Sequence, residues 1–190
     1  MRIVAGTARG RPLAGPKPSS AHIRPTADRV RETLFNILGQ WLEGQRVLDL
    51  YAGTGALGLE ALSRGAAHAV LVDQDREALG LCRTNTQALG FAAQVEILAL
   101  PVPRAVEQLG RRGEPFELIF ADPPYAARVV ESVLELLAGA KLLAPGGQVV
   151  VEHDKRESAP QAHAGFLRVD QRRFGDTVFS LYQREVSGPG

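Results

Sequence analysis

Residues 45–58 read Gln45-Arg-Val-Leu-Asp49-Leu-Tyr-Ala-Gly53-Thr54-Gly55-Ala-Leu-Gly58. An apolar pentapeptide, Arg46–Leu50, runs into a glycine turn and then into a helical pattern over Ala56–Arg64. That order is the opening of a βαβ unit, and the alternation continues for about a hundred residues. Further strands are predicted at His68–Val72, Val95–Leu98, Phe116–Ala121 and Gln148–Glu152. Helices are predicted at Asp75–Leu89, Pro101–Gly110 and Ala127–Ala138. Near-continuous apolar strands separated by helices indicate a parallel sheet covered on both faces. The close of the chain differs. Phe166–Arg173 and Thr177–Gln183 flank Gly175-Asp176, a turn signal, so an antiparallel hairpin is predicted there. The expectation is an α/β, Rossmann-like fold: a mostly parallel seven-stranded sheet, helices on both faces and a C-terminal antiparallel hairpin.

Upstream, Thr26 can cap a helix reaching about Leu42, whose apolar stripe is Val30, Leu34, Ile37, Leu38 and Trp41. Met1–Leu13 suits a small hairpin, and Ala14–His22 is rich in Pro, Gly and Ser and reads as a mobile loop. The expected organisation is hairpin and loop over 1–23, one domain over 24–186 and a frayed tail at 187–190.

With 190 residues the chain is long enough for one domain with a real core. A single cysteine, Cys82, excludes an internal disulfide and agrees with a reducing compartment. No apolar run has the roughly 18 residues of a membrane span, and Met1–Arg11 has no secretory core. A cytoplasmic monomer with no membrane partner is therefore expected. The formal charge of +1 hides an asymmetry. Residues 1–31 hold seven basic side chains (Arg2, Arg9, Arg11, Lys17, Arg24, Arg29, Arg31) against Asp28 alone, so a basic arm precedes a mildly acidic body. Such an arm is either a solvated tail or a grip for a polyanion.

Formally, Gly53-Thr54-Gly55-Ala-Leu-Gly58 is G-x-G-x-x-G, with Asp73 twenty positions after Gly53 at the end of the next strand. That is dinucleotide spacing, the acid taking a ribose hydroxyl. Asp49, just before the glycines, argues against it, because a carboxylate there would repel a pyrophosphate. It suits a ligand presenting an ammonium or sulfonium, as S-adenosylmethionine does. Gly53, Thr54 and Gly55 would approach that ligand through backbone, and Asp73 would take its ribose diol. The bland alternative is a glycine turn with no ligand. Absence of G-K-[ST] excludes a P-loop.

The fourth strand ends in Asp122-Pro123-Pro124-Tyr125, a more specific signal. Two prolines lock an extended loop. An exocyclic amino group on a nucleobase is a poor nucleophile because its lone pair is conjugated into the ring. A carboxylate (Asp122) and a fixed carbonyl (Pro123) can accept its two N–H groups and draw the nitrogen toward tetrahedral geometry. Asp122 can also help remove the proton. Tyr125 offers a face on which an extruded base stacks. Here the bland alternative is a rigid turn with a surface tyrosine.

Taken together, these residues resemble the bacterial 16S rRNA guanine-N2 methyltransferases of the class I S-adenosylmethionine-dependent superfamily. The resemblance is carried by Arg2-Ile-Val-Ala-Gly6, Arg9-Gly-Arg11, Arg24-Pro-Thr-Ala-Asp-Arg-Val-Arg-Glu-Thr-Leu-Phe-Asn-Ile-Leu38, Val47–Gly55, Gly58–Gly65, Asp122–Tyr125 and Phe174-Gly-Asp-Thr177. It implies that Asp49, Gly53, Gly55 and Asp73 contact the cofactor, and that Asp122–Tyr125 hold a guanine of 16S rRNA, free or within a small-subunit particle. Arg9, Arg11 and Arg24 are the expected RNA contacts. One departure is Leu98-Ala-Leu-Pro101, where related enzymes often place an acid or amide against the adenine. The competing readings are a nucleic-acid adenine-N6 or cytosine-N4 methyltransferase and a noncatalytic ribosome-assembly factor. Cys82 reads as inert core, and Glu152-His153-Asp154 as a polar strand end. Arg111-Arg112 and Arg172-Arg173 read as solvated pairs. The four histidines lack metal-ligand spacing, so no metal is expected.

Overall fold

The computed structural model describes residues 1–16, 28–39, 42–124 and 128–185. The elements are α1 (Asp28–Leu38), β1 (Arg46–Leu50), α2 (Ala56–Ser63), β2 (His68–Asp73), α3 (Arg76–Leu89), β3 (Val95–Ala99), α4 (Val102–Arg112), β4 (Phe116–Ala121), α5 (Val129–Ala138), β5 (Leu143–Asp154), β6 (Ala162–His163), β7 (Phe166–Phe174) and β8 (Thr177–Arg184). They build one sheet in the order β3-β2-β1-β4-β5-β8-β7-β6. β3 through β5 are parallel, and β8 enters antiparallel between β5 and β7. The strand order reverses between β1 and β4. In such sheets a crevice opens at that point beyond the carboxyl ends of the strands.

The sheet has eight strands where seven were expected, because Ala162–His163 adds a two-residue edge to β7. β5 is also longer than Gln148–Glu152. Leu143 pairs with Phe116 before a register shift at Ala144–Gly147, and regular pairing resumes at Gln148 opposite Leu118. α1 stops at Leu38, short of Leu42, because Gly39 takes a left-handed φ of 102° and ends the helix. The proposed cap Thr26, the stripe residue Trp41, Lys17, His22, Arg24, Tyr125 and the tail 187–190 lie outside the described residues.

Two cores sandwich the sheet. Val47, Leu71, Leu118, Phe120 and Val150 face α1, α2 and α3, whereas Leu48, Val72, Ile119 and Val151 face α4 and α5. The N-terminal segment joins the first core. Its two arms bond through Ile3 N–H to Arg11, Gly10 N–H to Ile3 and Leu13 N–H to Met1, and it buries Ile3, Ala8 and Leu13.

What fastens it is a buried ionic knot. All eight residues of α2 are buried, including Glu60. Its carboxylate accepts the N–H groups of Val4 (2.8 Å) and Ala5 (3.0 Å), Arg31 Nε (3.3 Å) and Arg64 Nε (2.9 Å). Arg31 also bonds Asp28 and the Arg2 carbonyl, and the Arg64 guanidinium lies 4.7 Å above the Phe35 ring. Both arginines are essentially unexposed. No helix among the described residues is long and apolar enough to cross a membrane.

Candidate active site

Side chains alternate along a strand, so one face of the carboxyl edge can be read directly. Val47 and Leu71 point to the α1–α3 side, and therefore so do Asp49 and Asp73. Phe120 points the same way, and Asp122, two residues on, follows it; its N–H still reaches the Leu50 carbonyl (3.4 Å). Three carboxylates from β1, β2 and β4 thus share one edge across the switch point.

Asp49 is buried, and its Oδ2 accepts the Gly58 N–H at 2.9 Å, near the start of α2. Burial, reinforced by the charges of Asp122 and Asp73 and opposed by the Gly58 bond, pushes its pKa up to about 8. Asp73 bridges two loops, accepting Gly53 N–H through Oδ2 and Asp75 N–H through Oδ1, both at 2.9 Å. Asp75 in turn caps α3 through Ala78 N–H.

The glycines divide their work. Gly53 sits at φ 57° with its N–H held by Asp73. A Cβ on Gly55 (φ 77°) would meet Leu71 and Leu59 at 3.1 and 3.3 Å, and one on Gly58 would strike Leu71 at 2.4 Å. Gly55 and Gly58 therefore serve helix–sheet contact, with the loop backbone at Gly53 and Thr54 set at the edge. Thr54 is buried, its hydroxyl 4.0 Å from Met1 Sδ. Pro123 is buried and Pro124 exposed.

Sequence reasoning missed two supports and one strained turn. Cys82, read as inert, donates its thiol to the Gly53 carbonyl at 3.3 Å; burial pushes its pKa upward. Asn85, buried on the same face of α3, donates to the Thr54 carbonyl (2.9 Å) and exchanges two hydrogen bonds with Ala14. A cysteine and an asparagine three apart on a buried helical face were the available signal. Tyr51 holds a left-handed φ of 62°, a conformation that costs a non-glycine residue about 1–2 kcal/mol and marks the turn out of β1 as strained.

The basic arm packs against the ends of α2 and α3. The tip of the hairpin bonds Ser63, the last residue of α2, through Thr7 and Ala8. Arg11 donates to the Ala88 and Leu89 carbonyls at the end of α3. Both helices start at the carboxyl edge and end at the opposite one. Arg11 therefore sits at the end of α3 and Arg9 follows the turn held by Ser63 at the end of α2. Arg11 is occupied as a cap on α3, whereas Arg9 is exposed and no carboxylate among the described residues pairs with it.

A family model described as conserved hypothetical protein 95 matches residues 1–183. The chain belongs to this family. Within conserved hypothetical protein 95, the chain is 38% identical over 190 residues to ribosomal RNA small subunit methyltransferase D of Escherichia coli K12, covering 99% of this chain and 92% of that one. A solved Escherichia coli structure bearing a provisional methyltransferase name, yhhF, superposes with a TM-score of 0.84 at 34% identity, over 97% of this chain and 98% of its own. A hypothetical protein of Thermus thermophilus gives 0.80 at 34% identity, over 95% and 98%.

The raised pKa of Asp49 has a consequence for this member of conserved hypothetical protein 95. Between about pH 4 and pH 8 the folded state holds a proton that the unfolded chain has released, so stability falls as pH rises through that window, by up to about 1.4 kcal/mol per unit. Asp49→Asn is expected to match the parent near pH 4 and to exceed it at pH 8.5. Urea unfolding of both proteins at the two pH values measures this; parallel pH profiles would refute it.

Proposed function

We propose that this protein transfers the methyl group of S-adenosylmethionine to the exocyclic N2 of a guanine in 16S rRNA. The observation that carries the reading is the placement of Asp122-Pro123-Pro124 at the carboxyl end of β4, across the switch point from Asp49 and Asp73 and on their face of the sheet. The name of the Escherichia coli relative supports RNA of the small subunit as the substrate class.

The residues present suit the cofactor. A buried carboxyl whose pKa is raised beside two other acids is relieved by a cation, and S-adenosylmethionine carries both an ammonium and a sulfonium. Asp49 would hold the positive end, Asp73 the ribose diol through the lone pairs its two amide bonds leave open, and Gly53–Gly55 would contribute backbone. When bound, the cofactor supplies an electrophilic methyl group. No group of three or more His, Cys, Asp or Glu among the described residues is arranged to hold a metal ion.

Asp122 and the Pro123 carbonyl do the positioning. Each accepts one N–H of the 2-amino group, which turns its lone pair out of conjugation and toward the methyl. Asp122 also stabilises the positive charge that grows on nitrogen and can accept its proton. Tyr125 is assigned to stack on the base. Arg9 and Arg24 are assigned to RNA phosphates. A monomer in the cytoplasm meets these requirements.

The test is mass spectrometry of 16S rRNA nucleosides from cells with and without the gene. One N2-methylguanosine is expected to vanish without it and to return on incubation with purified protein and S-adenosylmethionine. Loss of N6-methyladenosine or N4-methylcytidine instead, or no change, would remove the reading.

A further inference from the structure

The edge holds a fourth acid that the assignment above leaves unused. Ala121, the last residue of β4, pairs with Val151 on β5, so Asp122 and Glu152 are the next residues of two neighbouring strands, which lie about 4.8 Å apart where they pair. Val150 packs in the α1–α3 core with Phe120, so Glu152 belongs to the same face as Asp122. Glu152 is half-buried, and its antiparallel partner on β8 is Phe179, an apolar residue. The four acids then fall into two pairs on either side of the switch point. Asp49 and Asp73, on β1 and β2, are on the cofactor side. Asp122 and Glu152, on β4 and β5, are on the base side.

A guanine offers two adjacent kinds of donor on its Watson–Crick edge, the 2-amino group and N1–H. Asp122 and the Pro123 carbonyl use both hydrogens of the amino group, which leaves N1–H to be satisfied. We propose that Glu152 accepts N1–H of the target base and is the residue that specifies guanine. This rests on the guanine-N2 reading above and extends it to a discrimination. Adenine N1 and cytosine N3 are acceptors, so a carboxylate facing them is repelled and left without its hydrogen bond. Sites built to bond a substrate donor reject analogues lacking it strongly, because the buried acceptor is then unsatisfied.

The experiment uses 2-aminopurine, which keeps the 2-amino group and has an acceptor at N1. Small-subunit particles are reconstituted with 16S rRNA carrying either guanine or 2-aminopurine at the target position, and methylation by the full chain is measured. The parent is expected to prefer guanine by at least about 100-fold. In Glu152→Gln the amide can donate to N1 of 2-aminopurine while its oxygen can still accept N1–H of guanine, so methylation of 2-aminopurine rises, guanine methylation falls by less than the parent's preference, and that preference collapses toward unity. S-adenosylmethionine affinity, read by calorimetry, should stay within a few-fold of the parent. A parent that methylates both bases equally overturns the proposal without any variant, and so does a Glu152→Gln protein that keeps the parent's preference. Failure of the underlying reading is separate: the parent would then methylate an adenine or a cytosine, identified by nucleoside analysis.

Discussion

Asp122→Ala is expected to lower methyl transfer by about 10²- to 10⁴-fold while S-adenosylmethionine binds within a few-fold of its affinity for the parent. The reason lies in where the carboxylate sits. It stands just past the end of β4, across the switch point from the Gly53–Gly55 loop, and its charge is needed most when nitrogen becomes positive, which happens only on the way to the transition state. Asp122→Asn sharpens the test. Its amide oxygen still accepts one N–H, so loss of charge alone should give activity between parent and alanine variant. Single-turnover rates and calorimetry on the same preparations separate the two effects. Turnover within tenfold of the parent, or cofactor affinity lost in step with rate, would take Asp122 out of the reacting centre.

The largest stability effect is expected at Glu60. Removing its carboxylate leaves Arg31 and Arg64 buried without their shared partner and deprives Val4 and Ala5 N–H of their acceptor. Breaking a buried pair from one side costs about 3–5 kcal/mol, which in a domain of this size lowers Tm by roughly 6–20 °C. Glu60→Ala is measured against Glu107→Ala, whose carboxylate meets Arg104 and Arg111 on the exposed face of α4 and should matter by less than about 1 kcal/mol. Equal denaturation midpoints for the two variants would show that the knot holds nothing.

The parallel strands were legible because each is an apolar run bounded by polar turns, and their alternation fixes which face every carboxylate occupies. Two departures have local causes. Ala162–His163 is too short to carry a pattern, and Pro145-Gly146-Gly147 reads as a turn although the chain on either side of it pairs with β4. The acids and glycines gathered at the carboxyl edge were legible, since such residues at strand ends have few other uses. Its supports were not. Cys82 and Asn85 act through the carbonyls of Gly53 and Thr54, contacts that exist only once α3 lies against the loop. Charge was ambiguous at the arm: Arg11, expected to meet RNA, caps α3, and Arg31, counted in the basic total, pairs with Asp28 and ties α2 to the first residues. A glutamate inside a helix otherwise free of charge, Ala-Leu-Gly-Leu-Glu60-Ala-Leu-Ser63, was the sign that such partners were needed.

The docking of the hairpin also sets an order of assembly. Residues 3–14 are translated before their partners, which lie 55 to 78 positions later, at Glu60, Ser63, Asn85, Ala88 and Leu89. At about 5–20 residues per second this segment waits roughly 4–16 s before these hydrogen-bond partners are translated. For that interval Ile3 and Leu13 have no core to enter, so the segment docks only after α2 and α3 have been made.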